Sequence, residues 1–216
     1  MTLSQTTLAE GLQWLCDRDP HLAVILDDLG APPLWSREPE FGTLICIILE
    51  QQVSLASARA AYDRLLAAVS LLTPESFLEI DDSALKRIGF SRQKITYSRY
   101  LAQSIIGGLL NLDTLSALDD SAARAALVKI KGIGPWTAEI YLLMALGRPD
   151  AWPRGDLALA VAVQKVKCLA ARPTPDTLEE MSTLWRPWRA VAARLFWHYY
   201  LHTPKQLVTR TSMRRQ

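Results

Sequence analysis

The chain has 216 residues, of which 24 are Lys or Arg and 22 are Asp or Glu, giving a formal charge of 24 − 22 = +2. Half of the residues are apolar and 21% are charged, which is typical of a soluble globular protein. No window approaches the roughly 20 apolar residues of a membrane span, and three scattered cysteines exclude a disulfide scaffold or a Cys-clustered metal site.

Apolar residues recur at three- and four-residue spacing along the chain, whereas sustained β-branched alternation is missing, so the sequence predicts an all-α fold. The predicted helices span residues 5–17, 21–29, 41–51, 55–70, 75–80, 83–89, 92–108, 121–130, 135–146, 157–169, 175–184 and 188–202. The expected N-caps are Ser54, Ser91, Ser121 and Thr174. Pro135 and Pro175 suit the first turn of a helix, and we expect residues 205–216 to form a disordered basic tail.

Charge is distributed unevenly along the chain. Residues 1–40 hold seven acids and two bases, which leaves 22 bases and 15 acids in the remainder. Two stretches, 83–112 and 181–216, contain no acidic residue. This pattern indicates an anionic partner such as nucleic acid, although solvated helix faces would have the same composition.

The most specific segment is residues 127–138, in which a Gly-Ile-Gly turn is followed by a proline that opens the next helix. Two glycines allow the backbone to approach a ligand closely, and N–H groups at the start of the next helix favour a phosphate. Ile133 is expected to anchor the turn in the core. The alternative is a Gly-rich corner between two helices, without a ligand.

A second segment places one acid, Asp156, after a Pro/Gly loop and before an apolar helix. The simplest interpretation of Asp156 is an N-cap. A carboxylate at a helix N-terminus is also held ionised and oriented, so the same residue is suited to stabilise a cationic transition state.

Aromatic residues cluster in two segments near the carboxyl end, 184–189 and 196–200. Large rings at helical spacing predict a packed core. The sharper alternative is a base-stacking pocket bordered by arginines that bind phosphate. The spacing of His198 and His202 is more typical of a structural or exposed pair than of a metal site.

Four motifs follow one another in a characteristic order: Ile48-Leu49-Glu50-Gln51-Gln52-Val53-Ser54, Gly132-Ile133-Gly134-Pro135-Trp136-Thr137-Ala138, Gly155-Asp156 and Trp185-Arg186-Pro187-Trp188-Arg189. Over residues 40–202 the chain resembles the helix-hairpin-helix (HhH-GPD) DNA glycosylases, in particular the 3-methyladenine DNA glycosylase II branch. The resemblance implies two helical lobes with a DNA-binding and active-site cleft between them. One lobe would hold residues 41–150 with the hairpin 127–138, and the other residues 1–40 and 151–204, as in a compact form without an extra N-terminal domain.

The resemblance also implies roles for individual residues. Asp156 matches the essential aspartate of the family, and Gln52, with Gln51 beside it, stands where a wedge enters the duplex as the base leaves. The expected DNA-binding hairpin is Lys131, Gly132, Ile133, Gly134 and Pro135, and carbonyls near Gly132 and Gly134 are expected to hold a monovalent cation, Na⁺ or K⁺. The expected base-pocket residues are Trp136, Ile140 and Trp197, and the expected DNA-backbone contacts are Ser54, Arg154 and Arg189.

Two departures narrow the resemblance. Bifunctional members carry a lysine two residues after the second hairpin glycine, and this chain has Trp136 there, so we expect a monofunctional enzyme that uses water. The iron–sulfur branch needs four clustered cysteines near the carboxyl end, where only Cys168 lies. We therefore expect no cluster, no required cofactor and no strand cleavage. Because Ile140 stands where the enterobacterial type has tyrosine, the pocket chemistry is expected to differ.

The function that the resemblance implies is base excision repair: flipping and hydrolytic removal of alkylated bases, of the 3-methyladenine and 7-methylguanine type, from double-stranded DNA to leave an abasic site. One alternative is a helix-hairpin-helix glycosylase for an oxidised or deaminated base, and another is a non-catalytic DNA-binding protein. We expect a monomer without membrane association. The expected compartment is the cytoplasm, at the nucleoid in a bacterium, or the nucleus in a eukaryote.

Overall fold

The computed structural model describes residues 2–203, and this part of the chain contains α-helices, one 3-10 helix and no strand, which confirms the all-α prediction. The helices are α1 (Gln5–Cys16), α2 (Pro20–Leu29), α3 (Phe41–Glu50), α4 (Leu55–Ala68), α5 (Pro74–Glu79), α6 (Asp82–Ile88), α7 (Arg92–Ile106), α8 (Leu112–Leu115), α9 (Asp120–Val128), α10 (Pro135–Met144), α11 (Leu157–Val166), α12 (Pro175–Ser182) and α13 (Arg189–His202), with the 3-10 helix at Thr183–Trp185. None of these helices is long and apolar enough to cross a bilayer. The tail predicted at residues 205–216 lies outside the described residues.

Short polar side chains at the helix starts explain most of the observed boundaries. Ser54, Ser91 and Thr174 each accept a hydrogen bond from the backbone N–H three residues further on, so these predicted N-caps are confirmed. Pro135 and Pro175 occupy the first turns of α10 and α12, as predicted.

Two features of the chain between residues 111 and 122 differ from the prediction. Ser121 is not an N-cap, because the carboxylate of Asp119 accepts the hydrogen bond from the Ala122 N–H at 2.8 Å and starts α9 before Ser121. Helix α8 was not predicted, since one turn capped by Asn111 is too short to show a helical period.

The chain divides into two compact units. The first, which we call the hairpin unit, contains Trp35–Arg154. The second, the aspartate unit, contains Leu3–Leu34 and the described residues from Gly155 onward. Each unit therefore has its own set of packed helices.

Helix α3 forms the centre of the hairpin unit. It is apolar on every side, and its buried side chains include Leu44, Ile45, Ile47 and Ile48. Such a helix needs apolar neighbours all round, and α3 packs against α4, α7 and α10. The turn that follows α3 and the hairpin that precedes α10 are consequently held by the same core.

Helix α13 has the corresponding position in the aspartate unit, where it packs against α1, α2 and α11. The rings of Trp185 and Phe196 lie 4.9 Å apart between their centroids and are almost fully buried. This confirms the interpretation of the carboxyl-terminal aromatic cluster as packed core. The contact between α11 and α13 brings Asp156, just before α11, to Trp197.

Candidate functional site

The hairpin joins α9 to α10 within the hairpin unit. Its apolar residue, Ile133, is buried, and the Ile133 N–H donates to the carbonyl of Ile130 at 2.9 Å, so the predicted anchoring of the turn is confirmed. Lys131 and Gly134 are exposed. The exposed backbone of the turn and the start of α10 therefore form a surface suited to a phosphate.

The two hairpin glycines have different structural requirements. Gly132 has φ +95°, and a Cβ atom there would overlap the ring of Tyr97, so only glycine fits. A Cβ atom at Gly134 would meet nothing within 4 Å. Gly134 is also the N-cap of α10 and has no side chain to cap it, so no capping side chain lies between the start of this helix and a ligand.

The turn between α3 and α4 carries the residues predicted as a wedge. Gln52 is exposed and has a left-handed backbone, with φ +58°. Apolar Val53 and Leu55 beside it are also exposed. Ser54, predicted as a DNA-backbone contact, caps α4 with its hydroxyl.

Gln51 has a different environment from Gln52. Its side-chain Nε2 donates to the carbonyl of Gly132 at 3.0 Å and lies 2.9 Å from the Thr137 hydroxyl oxygen. A side chain held in this way is engaged with the protein itself, so of the two predicted wedge residues Gln52 is the one with an exposed side chain. Gln51 instead connects the wedge turn to the hairpin.

Asp156 is the N-cap of α11, as its sequence context predicts. Its Oδ1 accepts hydrogen bonds from the Leu159 backbone N–H at 2.9 Å and from the Trp197 indole Nε1 at 3.2 Å. The preceding residue, Gly155, has φ +83°, a conformation that glycine adopts most easily. The carboxylate is thus oriented by one helix and by one aromatic side chain of the same unit, and it is part-exposed.

The other two predicted pocket residues differ in exposure. Trp136 is half-buried in the first turn of α10. Ile140, one turn further along, is only 2% exposed. In this structure Ile140 therefore packs against other protein atoms and offers no open surface to a base.

The two arginines predicted as DNA-backbone contacts, Arg154 and Arg189, differ in burial, and Arg194, further along α13 from Arg189, is buried as well. Arg154 is exposed. Arg189 is 7% exposed and lies 3.4 Å from Glu179, while Arg194 is 1% exposed and donates to the carbonyls of Leu34 and Ala190. Because buried guanidinium groups must be paired, Arg189 and Arg194 have structural roles here, and the DNA-backbone contact of Arg189 stays a prediction.

The acid-free stretch 83–112 is likewise only partly available to a partner. Arg99 binds Asp82 and the carbonyls of Leu78 and Ile80. Lys94 donates to the carbonyl of Leu49 at 2.6 Å, and burial lowers the pKa of its amine. The exposed cations of this stretch are Lys86, Arg87 and Arg92.

Sequence reasoning missed Glu139, a buried acid in α10. Its Oε1 pairs with Arg124, and its Oε2 accepts the Trp152 backbone N–H at 3.0 Å. Glu139 thereby ties the loop that leads toward Asp156 to the helix that follows the hairpin. The sequence did contain one signal of this role, because Glu139 is the single acid within the apolar run of α10 and a buried acid needs a partner.

The chain has relatives among known proteins. A model of the HhH-GPD superfamily base excision DNA repair protein matches residues 45–190. DNA-3-methyladenine glycosylase 1 of Schizosaccharomyces pombe is 29% identical over 165 residues, covering 74% of this chain and 72% of the relative. A DNA-3-methyladenine glycosylase of Bacillus subtilis is 27% identical, covering 78% of this chain and 58% of the relative.

A solved structure shares the fold. The Schizosaccharomyces pombe 3-methyladenine DNA glycosylase Mag1 in complex with abasic DNA superimposes with a TM-score of 0.79 at 26% identity, covering 88% of this chain and 95% of that chain. Several curated relatives are longer than this chain, which spans 64% and 39% of the length of two further ones from Bacillus subtilis and Mycobacterium tuberculosis.

Proposed function

Because the chain belongs to the HhH-GPD superfamily of base excision DNA repair proteins, we propose that it is a DNA glycosylase that removes alkylated bases by hydrolysis. The observation that supports this most directly is the carboxylate of Asp156, oriented by Leu159 and Trp197 at the start of α11. The similarity to 3-methyladenine glycosylases favours alkylated purines as the substrate class. We propose that the enzyme acts on double-stranded DNA as a monomer.

Binding to DNA would begin at the hairpin. The N-terminus of α10, which has no capping side chain, and the exposed Lys131 suit one phosphate of the backbone, without preference for sequence. Gln52 would then enter the base stack and fill the space left by the extruded nucleotide. Extrusion costs a few kcal/mol, and it costs least for a damaged base, which contributes to selectivity.

The chemistry needs only one carboxylate. Alkylation at N3 or N7 places formal positive charge on a purine, so the base leaves readily when the bond from its ring nitrogen to C1′ of the sugar breaks. The sugar becomes oxocarbenium-like, and the negative charge of Asp156 stabilises it until water adds to C1′ and loses a proton. Trp136 stays a predicted pocket residue, and an aromatic ring facing a cationic base favours it by roughly 0.5 to 2 kcal/mol.

The product would be an abasic site in an intact strand. Strand cleavage by this superfamily requires an amine that attacks C1′, and the position concerned holds Trp136, whose indole is not a nucleophile of that kind. The carbonyls named for a monovalent cation already accept hydrogen bonds, that of Gly132 from Gln51 and that of Gly134 from the Ala138 N–H. Each carbonyl keeps a second lone pair, so the cation stays a prediction and no step depends on it.

The test is the release of methylated bases from duplex DNA treated with dimethyl sulfate, comparing the unmodified protein with Asp156→Asn. Asparagine keeps an oxygen that can accept from Leu159 and Trp197, so the variant is expected to fold and to bind DNA. Without the negative charge, the release rate should fall by on the order of 100-fold or more. The unmodified protein should leave abasic sites without nicks.

Asp119→Asn is the matched control, because Asp119 caps α9 through the same kind of hydrogen bond and has no role in the proposed chemistry. Its release rate should equal that of the unmodified protein. Full activity of Asp156→Asn would remove the basis of the mechanism. No release by the unmodified protein, together with salt-dependent DNA binding, would favour an oxidised or deaminated base as the substrate, or a non-catalytic role.

A further inference from the structure

Gln51 connects two segments that the proposed function uses separately. Its amide Nε2 lies 3.0 Å from the Gly132 carbonyl oxygen and 2.9 Å from the Thr137 hydroxyl. One contact is in the hairpin turn and the other in the first turn of α10. The next residue in the chain is Gln52, the proposed wedge, so one side chain links the phosphate-binding segment to the residue that enters the duplex.

The wedge turn needs such a link because its backbone is unfavourable. Gln52 has φ +58°, a region that residues with a Cβ atom rarely occupy and that surrounding contacts must maintain. Gln51 provides one of these contacts. Lys94 provides another, since its ammonium group donates to the Leu49 carbonyl at the end of α3.

Helix α7 supports both segments from one side. Lys94 holds the end of α3, and Tyr97, three residues further along α7, fills the space where a side chain at Gly132 would lie. Residues three apart share one face of a helix, so the same face of α7 contacts the wedge turn and the hairpin. The distance between the two segments is therefore set by packing as well as by Gln51.

We propose that Gln51 is a positioning residue that couples the grip of the hairpin on a phosphate to the insertion of Gln52. The proposal rests on the proposed function, and it concerns base extrusion rather than bond cleavage. A fixed spacing between the hairpin and the wedge directs phosphate binding to insertion at one base step. Without the link, the hairpin still binds DNA, but the binding energy no longer holds Gln52 in the stack.

The experiment compares binding to two duplexes of the same sequence, one undamaged and one with a tetrahydrofuran abasic analogue beside 2-aminopurine. Insertion is reported by the affinity for the abasic duplex divided by the affinity for the undamaged duplex, which we call the affinity ratio. It is also reported by an increase in 2-aminopurine fluorescence. Neither measurement requires base removal. Gln51→Leu should lower the affinity ratio about five- to tenfold, as expected for lost hydrogen bonds. The increase in fluorescence should become smaller as well. Affinity for the undamaged duplex and its salt dependence should change less than about twofold.

Further variants separate positioning from folding. Thr137→Val removes one acceptor of the Gln51 amide and should lower the ratio, whereas Thr137→Ser keeps the hydroxyl and should restore it. In a Gln52→Ala background, Gln51→Leu should have no further effect on the ratio. Gln103→Leu, an exposed glutamine on α7, is the matched control and should behave as the unmodified protein.

An unchanged ratio in folded Gln51→Leu, equal losses on both duplexes, or additive effects of Gln51→Leu and Gln52→Ala would each overturn the proposal. If Gln51→Leu does not fold, the comparison of Thr137→Val with Thr137→Ser decides, and an equal affinity ratio in these two variants would overturn the proposal. Failure to release methylated bases would contradict the proposed function but not this coupling. Absence of a fluorescence increase with the unmodified protein would contradict the wedge role of Gln52 and, with it, the coupling.

Discussion

Several residues of the candidate site have both a structural and a proposed chemical role. Asp156 caps α11 through its Oδ1 and is also the carboxylate that the proposed mechanism needs. The two roles are compatible, because the hydrogen bond that caps the helix also orients the carboxylate. Gly134 differs from Asp156, because it is the N-cap of α10 but has no side chain that could cap the helix.

Gly134→Asp is expected to weaken DNA binding without weakening the fold. A Cβ atom at this position meets nothing within 4 Å, and an aspartate would cap α10, so stability should be unchanged or rise by a few tenths of a kcal/mol. The carboxylate would occupy the N–H groups and repel the phosphate. We expect affinity for duplex DNA to fall about tenfold or more, and its salt dependence to become shallower.

Two further substitutions test this interpretation of the hairpin. Gly134→Ala adds no charge and should have a much smaller effect on affinity. Gly132→Ala should destabilise the protein by about 2 kcal/mol or more, because its Cβ atom would overlap Tyr97 at a positive φ. Unchanged affinity and salt dependence in Gly134→Asp would contradict the phosphate role of the hairpin.

Elements distant in sequence are joined by a few buried polar side chains. In the aspartate unit, Asp19 before α2 binds the Lys167 ammonium after α11 and the Trp185 indole at 2.9 Å. Burial by itself would raise the pKa of the Asp19 carboxyl, but the hydrogen bonds from Lys167 and Trp185 hold this pKa below its usual value. Stability of this unit therefore depends on the charge of Asp19.

Asp19→Asn should lower the free energy of unfolding by about 2 to 3 kcal/mol at pH 7, because Lys167 loses its partner in a mostly buried position. The contribution of a carboxyl with a lowered pKa is fully present above its unfolded pKa, about 4, and is lost as pH falls through the folded value. The difference between the unmodified protein and the variant, measured by urea unfolding, should therefore shrink below about pH 4.

Asp28→Asn is the control, because Asp28 is an exposed acid on α2. It should change the free energy of unfolding by less than about 0.5 kcal/mol, both at pH 7 and below about pH 4. A difference between the unmodified protein and Asp19→Asn that stays constant down to pH 2.5 would show that the charge of Asp19 is not what holds these elements together.

For the whole molecule, the cations that are available to DNA are fewer than the sequence contains. The chain has 24 Lys and Arg, but Arg99, Arg189 and Arg194 are engaged with acids or carbonyls of the protein. Salt dependence of DNA binding measures the phosphates that are neutralised, so it should follow exposure and not composition.

Arg154→Ala and Arg189→Ala make this distinction measurable. Arg154 is exposed, so its removal should lower the slope of log affinity against log salt by about one. Arg189 is buried beside Glu179, so Arg189→Ala should lower the melting temperature and leave the slope unchanged in the folded protein. The reverse result would support Arg189 as a backbone contact and exclude Arg154.

The amino-acid sequence by itself determined the local features of this protein. The all-α fold, the positions of most helices, the caps at Ser54, Ser91 and Thr174, and the N-cap position of Asp156 follow from periodicity and from hydrogen bonds between residues three apart. The turn at the hairpin was also evident from its two glycines, of which Gly132 has the positive φ that few other residues adopt. The short helix α8 was missed because one turn has no measurable period.

The tertiary structure alone decided which polar side chains face solvent and which hold the fold. Gln51 and Gln52 are neighbours of the same type, yet one binds the hairpin and the other is exposed. Arg189 and Arg154 differ in the same way. The partners of Gln51 and Asp19 lie far away along the chain, and only packing of the helices brings them within hydrogen-bond distance. Local pattern contains no information about such contacts, because it describes only residues within a few turns of one another.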